Sequence, residues 1–220
     1  FEGEKVDNVY AIGSLYPETI QIVTRKGSGI ESVEDLVGKA VSVGAPGSGT
    51  YINAEQILAV HGIDIEEDIK AQNLTFDEST DGIQDGTIDA AFITAGTPTG
   101  AVVGLSAHVD IHILSIAQDK IDELIKLYPH YAEVKIEGSD RDEYGLDEDV
   151  TTVAVLAMLA VAKDVDEDDI YEITKAIYEN AGDIAHDKAQ FIKLETALDG
   201  VGIELHPGAK KYYEEKGLDF

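Results

Sequence analysis

The sequence predicts an α/β fold with a mixed, mostly parallel sheet, and three features carry that prediction. Short apolar, β-branched runs alternate with segments of helical period. Gly-rich turns join the two kinds of segment. The run Ile88–Thr94 (IDAAFIT) is almost unbroken in its hydrophobicity, as a strand covered on both faces requires.

In chain order, Asn8 to Thr24 reads as two extended segments flanking a Ser14–Glu18 turn (SLYPE), with Pro17 pushing Tyr16 towards extended geometry. Ser32 to Asp35 has the form of a capping box that opens a short helix closed by Gly38. The strand Lys39–Gly44 runs into the glycine-rich turn Gly44–Thr50 (GAPGSGT). In the helix that follows, Ala54, Ile57, Leu58 and His61 share one face, and Gly62 stops it. Ile69–Phe76 is extended, and Asp77–Gln84 is a short helix halted at Asp85-Gly86. The strand Ile88–Thr94 leads into a second small-residue turn, Ala95–Gly100 (AGTPTG), and then a helix to about His108. Ile111–Ile116 is the next strand and Ile121–Leu127 lies in the next helix.

Beyond that point the pattern changes. Glu137–Val150 reads as a polar acidic loop and Val153–Ala162 as an apolar strand. Ile170, Ile173, Ile177 and Tyr178 mark an amphipathic helix capped near Asp166, and Phe191–Leu198 continues helical. Pro207 stands at a helix N1 position, and Gly217 closes the last helix. A helical tail after an alternating middle points to a second lobe.

Composition narrows the function classes. The 220 residues carry 44 acidic and 16 basic side chains, a net charge of −28, yet 44% are hydrophobic, as in a globular protein. The acids are spread in short clusters between periodic apolar segments, which predicts an acidic surface adapted to high salt. With no basic stripe to neutralise phosphates, nucleic-acid binding is not expected. No apolar run approaches the roughly 18 residues that span a bilayer, so no membrane insertion is expected. The opening FEGEKVDN has neither the basic nor the apolar region of a secretory signal. There is no cysteine, which excludes thiolate chemistry.

The turn Gly44–Thr50 places backbone N–H groups at the positive end of a helix dipole, an anion cradle. It has the glycines of a phosphate-binding P-loop but carries Thr50 where that motif needs lysine, which removes the nucleotide reading. The hydroxyls of Ser48 and Thr50 add donors suited to a carboxylate or another small anion. A plain tight strand-to-helix turn is the alternative. Ala95–Gly100 reads equally as turn or ligand loop, and Tyr16 equally as core aromatic or lid. His108 and His112 straddle a helix-to-strand junction, so no metal site is expected, and no cofactor motif or catalytic triad can be picked out. Asn73-Leu74-Thr75 fits a glycosylation sequon, relevant only to an exported chain.

SLYPE, VSVGAPGSGT followed by NAEQIL, DGTIDAAFITAGTPTGAV and LHPGAKKYYEEKGL occur in order along nearly the whole chain. Together they resemble the TAXI subfamily of TRAP-transporter solute receptors. The resemblance implies a type II-like periplasmic-binding-protein fold of two lobes. Residues 23–154 would form a central α/β lobe with the anion cradle, and residues 1–22 plus 155–220 the remainder of a second, discontinuous lobe. The N-terminal part of that second lobe, with its usual ligand loop, is not in this sequence. The implied ligand-binding residues are Tyr16, Gly47, Ser48, Gly49, Thr50, Asn53, Thr94, Ala95, Gly96, Thr97 and Thr99.

The function so implied is that of a non-enzymatic, extracytoplasmic receptor. It would capture a small carboxylate-bearing solute, such as glutamate or another amino or organic acid, and deliver it to the membrane permease subunits of a TRAP transporter. The alternatives are an enzyme on the same fold acting on an anionic substrate, or an orphan or sensory binding module.

Overall fold

The computed structural model describes residues 7–219, so the first six residues of the predicted 1–22 segment lie outside the described residues. The chain divides into two compact units. The larger is Glu18–Val155; the smaller joins Phe1–Pro17 to Leu156–Phe220.

Strand β1 (Val9–Arg25) is a single strand of 17 residues, where the sequence predicted two segments and a turn. Proline fixes a φ that an extended chain accepts, and Pro17 stands where the loss of one donor is tolerated. The Ser32/Asp35 capping box is present, but it opens a single 3-10 turn, Val33–Leu36, and Gly38 has φ 78°. Then come β2 (Ala40–Ser42), α1 (Gly49–Val60), β3 (Lys70–Gln72), α2 (Phe76–Asp85) and β4 (Ala90–Ala95). They are followed by α3 (Gly100–Ser106), β5 (Ile111–Ile113), α4 (Gln118–Leu127), β6 (Ala132–Ile136) and α5 (Gly138–Glu143). The last elements are β7 (Val150–Ala162), α6 (Glu167–Glu179) and α7 (Pro207–Lys216).

The α/β class with a mixed sheet is what the larger unit has. Its strands run in the order β3-β2-β4-β1-β7-β6, with β5 also beside β1. Strands β3, β2 and β4 are parallel, the crossovers being α1 and α2. The β1 segment from Thr19 to Arg25 is antiparallel to β4 and β5, and β6 is antiparallel to β7. Each sheet face has its own core. Ala90 and Phe92 of β4 pack on one side with Ile20, Ile22, Ile57 and Leu58, while Ala91 and Ile93 pack on the other with Val23, Val102 and Leu105. That double coverage is the physical cause of the unbroken apolar run at Ile88–Thr94.

Caps follow the chemistry of the sequence. Thr75 and Glu78 form a reciprocal capping box at the start of α2, and Gly86 ends it in the left-handed region. The predicted acidic loop Glu137–Val150 instead contains α5 and buries Tyr144 at 1% exposure. Its apolar content is too sparse to show a period, so the burial of one aromatic does not register.

In the smaller unit, Ala11, Ile12, Ile170, Leu205, Tyr212 and Tyr213 form the core. Asp166 caps α6 by accepting from the Asp168 and Asp169 N–H groups, and Pro207 stands at the start of α7. The stretch predicted as a helix from Phe191 to Leu198 holds only the last residue of one 3-10 turn, Asp187–Phe191, and a second short turn, Leu194–Thr196. Gly13 and Gly208 are fixed by contact: a Cβ at Gly13 would lie 2.3 Å from the Tyr178 and Tyr213 hydroxyls, and one at Gly208 2.2 Å from the Glu167 carbonyl.

Candidate functional site

The sheet places both Gly-rich turns side by side. Strands β2 and β4 are hydrogen-bonded parallel neighbours, so the turns that leave their carboxyl ends, Gly44–Thr50 and Ala95–Gly100, emerge at the same sheet edge. Ligands of open α/β sheets bind at such ends.

The first turn is shaped by close approach. Gly44 has φ 82°, and a Cβ there would lie 2.9 Å from Thr50 Cβ and 3.0 Å from its methyl carbon. Only glycine lets the strand end come this near the helix start. The Asn73 amide, at the end of β3, donates to the Gly44 carbonyl at 2.7 Å and holds the turn from the third parallel strand. Ser48 caps α1: its hydroxyl oxygen accepts from the Tyr51 N–H at 3.1 Å. The Gly49 and Thr50 N–H groups have no hydrogen-bond partner among the described residues, as the first turn of a helix leaves them.

Hydroxyl protons divide the predicted residues into two sets. Thr97 donates to Asp140 Oδ2 at 2.7 Å, and Thr99 donates to the Gly96 carbonyl at 3.0 Å. Both protons are committed to holding the second turn. Thr94 accepts from Asn53 Nδ2 at 3.1 Å, which leaves its own proton unspent. Ser48 likewise only accepts. Thr50 is 8% exposed and its hydroxyl has no partner among the described residues. The sole sealed and unpaired side-chain polar atom among them is Arg25 Nε, so the Thr50 hydroxyl reaches solvent. Thr50 and Asn53 are three apart on α1 and lie on one face of the helix.

Asn53 is anchored from behind. The Tyr131 hydroxyl lies 2.8 Å from Asn53 Oδ1 and 2.7 Å from Gln56 Oε1. A phenol has a single proton, so both contacts are satisfied when the Gln56 amide is turned over to donate. Burial pushes the Tyr131 hydroxyl well above the ordinary tyrosine range, so it stays protonated. The second turn is held by Gln21 and Tyr144. Tyr144 donates to Gln21 Oε1 at 2.6 Å and accepts from the Thr99 N–H at 2.6 Å, and Gln21 Nε2 donates to Thr99 Oγ1 at 2.9 Å. Burial raises the Tyr144 hydroxyl to about 12, the hydrogen bonds with Thr99 acting in the opposite direction.

Of the predicted residues, Gly47, Ser48, Gly49, Thr50, Asn53 and Thr94 to Thr99 thus lie on or beside the two adjoining turns of the larger unit. Tyr16 lies in the smaller unit. There it lines a pocket of about 180 Å³ with Ser14, Leu156, Phe191, Lys193 and Thr196. Gln21, Tyr131 and Tyr144 were not singled out from sequence. Gln21 offered the one available signal, an amide inside a run of β-branched residues.

Neither arginine belongs to the turns. Arg25 donates to the Ile83 and Gln84 carbonyls at the end of α2, and Arg141 pairs with Asp142 and Asp149. Among the described residues no group of three His, Asp or Glu side chains could hold a metal ion, and no helix is long and apolar enough to cross a membrane.

Several solved structures resemble the chain. The periplasmic aliphatic sulphonate-binding protein SsuA from Escherichia coli is 16% identical, with 86% of this chain and 74% of that chain covered and a TM-score of 0.42. The alkanesulfonate-binding protein SsuA from Xanthomonas axonopodis pv. citri, bound to MOPS, is 21% identical over 49% of this chain and 36% of that chain, TM-score 0.41. An ABC transporter periplasmic binding protein from Brucella ovis, with glutathione bound, is 12% identical over 80% of this chain and 44% of that chain, TM-score 0.47. In two of these three the match thus spans less than half of the solved chain. The model of the NMT1-like family matches residues 1–217, and the chain belongs to that family.

Proposed function

We propose that this chain is a solute-binding receptor that captures a small carboxylate-bearing solute at the Gly44–Thr50 turn. One observation carries the reading: the N–H groups of Gly49 and Thr50 and the hydroxyls of Ser48, Thr50 and Thr94 all keep an unspent proton at one sheet edge. A set rich in donors calls for an acceptor-rich ligand, and the helix dipole gives it an anionic preference. Gly47 supplies the backbone bend, with φ 76°. Thr97 and Thr99, their protons spent, hold the opposing turn in place, while Ala95 and Gly96 offer it little side-chain bulk.

In this reading residues 23–154 are one lobe and residues 1–22 with 155–220 part of the other. The receptor is extracytoplasmic, works with the permease subunits of a TRAP-type transporter of the TAXI kind, and carries out no chemistry on its solute. The dispersed acidic surface is an adaptation to concentrated salt.

The test is a thermal-shift screen of amino acids and organic acids, L-glutamate among them, against the chain in concentrated salt. A solute held at ~100 times its Kd stabilises the folded state by ~2.7 kcal/mol, so a true ligand raises the Tm visibly. The reading is lost if no carboxylate in the panel moves the transition.

A further inference from the structure

We propose that Gln21 and Tyr144 are positioning residues for the solute site, acting through Thr99 on the second turn. The proposal rests on the receptor reading above for its functional meaning and on the hydrogen-bond geometry for its physical basis.

The three residues form a closed ring. The Thr99 N–H donates to the Tyr144 hydroxyl, that hydroxyl donates to Gln21 Oε1, and Gln21 Nε2 donates back to Thr99 Oγ1, over 2.6, 2.6 and 2.9 Å. Each donor meets an acceptor, and the Thr99 hydroxyl passes its proton on to the Gly96 carbonyl. Both ends of the turn Gly96–Thr99 are therefore tied to one side-chain amide. Gln21 is 0% exposed and Tyr144 1%, so no water competes, and a buried network of this kind is rigid only when it is complete.

Two polar side chains in the interior of an apolar sheet and its cover need a reason. Gln21 interrupts the run Ile20–Val23, where a leucine would add to the core at no desolvation cost. Tyr144 is carried by the acidic segment after β6, from which Asp140 also reaches the turn by accepting from Thr97. The same segment thus grips the second turn at Thr97 and Thr99. This fixes the edge along which Thr94, with its unspent proton, leaves β4. Solute affinity then depends on two residues that hold the turn instead of touching the ligand.

The experiment compares the 220-residue chain with its Tyr144→Phe and Gln21→Glu variants. Tyr144→Phe keeps the ring volume and removes the hydroxyl. The Thr99 amide is expected to exchange its hydrogen roughly tenfold or more faster, with amides of β3 and α4 unchanged. Affinity for the probe L-glutamate, or for whichever carboxylate the screen returns, is expected to fall about tenfold. Gln21→Glu supplies the readout that a purely structural role would not move. The ionised carboxylate cannot donate to Thr99, while the protonated acid can both donate to Thr99 and accept from Tyr144. Burial raises the pKa of such a carboxyl, and Asp140 and Glu143, whose charges reach Tyr144, act in the same direction. Solute affinity of this variant is expected to recover as the pH is lowered, with no such recovery in Tyr144→Phe.

Unchanged Thr99 exchange in Tyr144→Phe overturns the proposal, as does a Gln21→Glu variant whose affinity is independent of pH. Should the unaltered chain bind no carboxylate, the receptor reading fails, and the exchange measurement still decides whether the ring positions the turn.

Discussion

The Asn53 side-chain amide donates to the Thr94 hydroxyl at 3.1 Å and so ties the first turns of helix α1 to the end of strand β4. Both residues are at most 9% exposed, and the Tyr131 hydroxyl holds the other end of the Asn53 amide. Removing the link is expected to cost more than the mean hydrogen bond, because Thr94 and Tyr131 keep their burial and lose a partner. Asn53→Ala should lower stability by about 1–3 kcal/mol, read from the shift of the urea midpoint at constant m. Asn53→Asp should cost solute affinity as well, because a carboxylate there cannot donate to Thr94 and repels an anion.

The two glycines at either end of the first turn should respond unequally. Gly44 combines φ 82° with a Cβ position 2.9 Å from Thr50, so Gly44→Ala is expected to destabilise the fold by roughly 1–3 kcal/mol. A Cβ at Gly49 meets nothing within 4 Å, so Gly49→Ala should leave the Tm nearly unchanged. Paired melting curves check both. If Gly44→Ala melts with the parent chain, the close approach at Thr50 is not a constraint.

Gly49→Val separates site from fold. The open space at Gly49 accepts the side chain, which then stands beside the unspent N–H groups of residues 49 and 50. Calorimetry should show solute binding abolished, with a Tm within a few degrees of the parent. Retained affinity would place the anion elsewhere.

The acid limb of stability should carry a signature of the capping boxes. Hydrogen bonds from the Thr75 N–H and hydroxyl hold the Glu78 carboxyl below the ordinary carboxylate range, and those from Glu31 and Ser32 do the same for Asp35. A depressed pKa in the folded state gives stability that is present above the unfolded value and lost as pH falls through the folded one. Relief of repulsion among 44 acids works the other way in dilute buffer, so the comparison is between variants at high salt. Glu78→Gln should be less stable than the parent at neutral pH, and the gap should close in acid below the ordinary glutamate pKa. A gap that persists there would mean that the carboxylate charge is not what the cap uses.

Salt should be stabilising throughout. At net −28, lengthening the Debye length from ~3 Å at 1 M to ~30 Å at 0.01 M exposes the folded chain to its own repulsion. Circular dichroism during stepwise dilution is expected to show unfolding before the lowest salt is reached. Retention of the full spectrum would count against the salt-adapted reading.

Local chemistry made much of this molecule legible in one dimension. The capping box at Ser32, the Asp166 and Pro207 helix starts, and the glycine stops at Gly86 and Gly217 depend on residues within a few positions of one another, whereas the Thr75 box emerged only in the structure. The strand β4 was readable because coverage on both faces leaves a short, continuous apolar run bounded by a Gly-rich turn. Two of the errors fall where long-range partners act: Tyr144, beneath an acidic stretch, donates to Gln21 123 residues away, and Ala197, in the broken Phe191–Leu198 stretch, accepts from the Ser14 N–H.

For the candidate site the division is sharper. The cradle itself was determined by its own sequence, since glycines at 44 and 47 and a serine cap at 48 need only the following helix to present N–H groups. Which hydroxyls remain free was decided by the folded surroundings, local for Ser48 and Thr99 and long-range for Thr94 and Thr97. Asp140 and Gly96 consume the protons of Thr97 and Thr99, whereas Ser48, Thr50 and Thr94 keep theirs. A hydroxyl's availability is a property of what surrounds it, and for Thr97 the deciding partner, Asp140, lies 43 residues away. The residue types along the chain set which groups can donate, and the folded sheet, by bringing β2, β4 and β1 together, sets which of them still do.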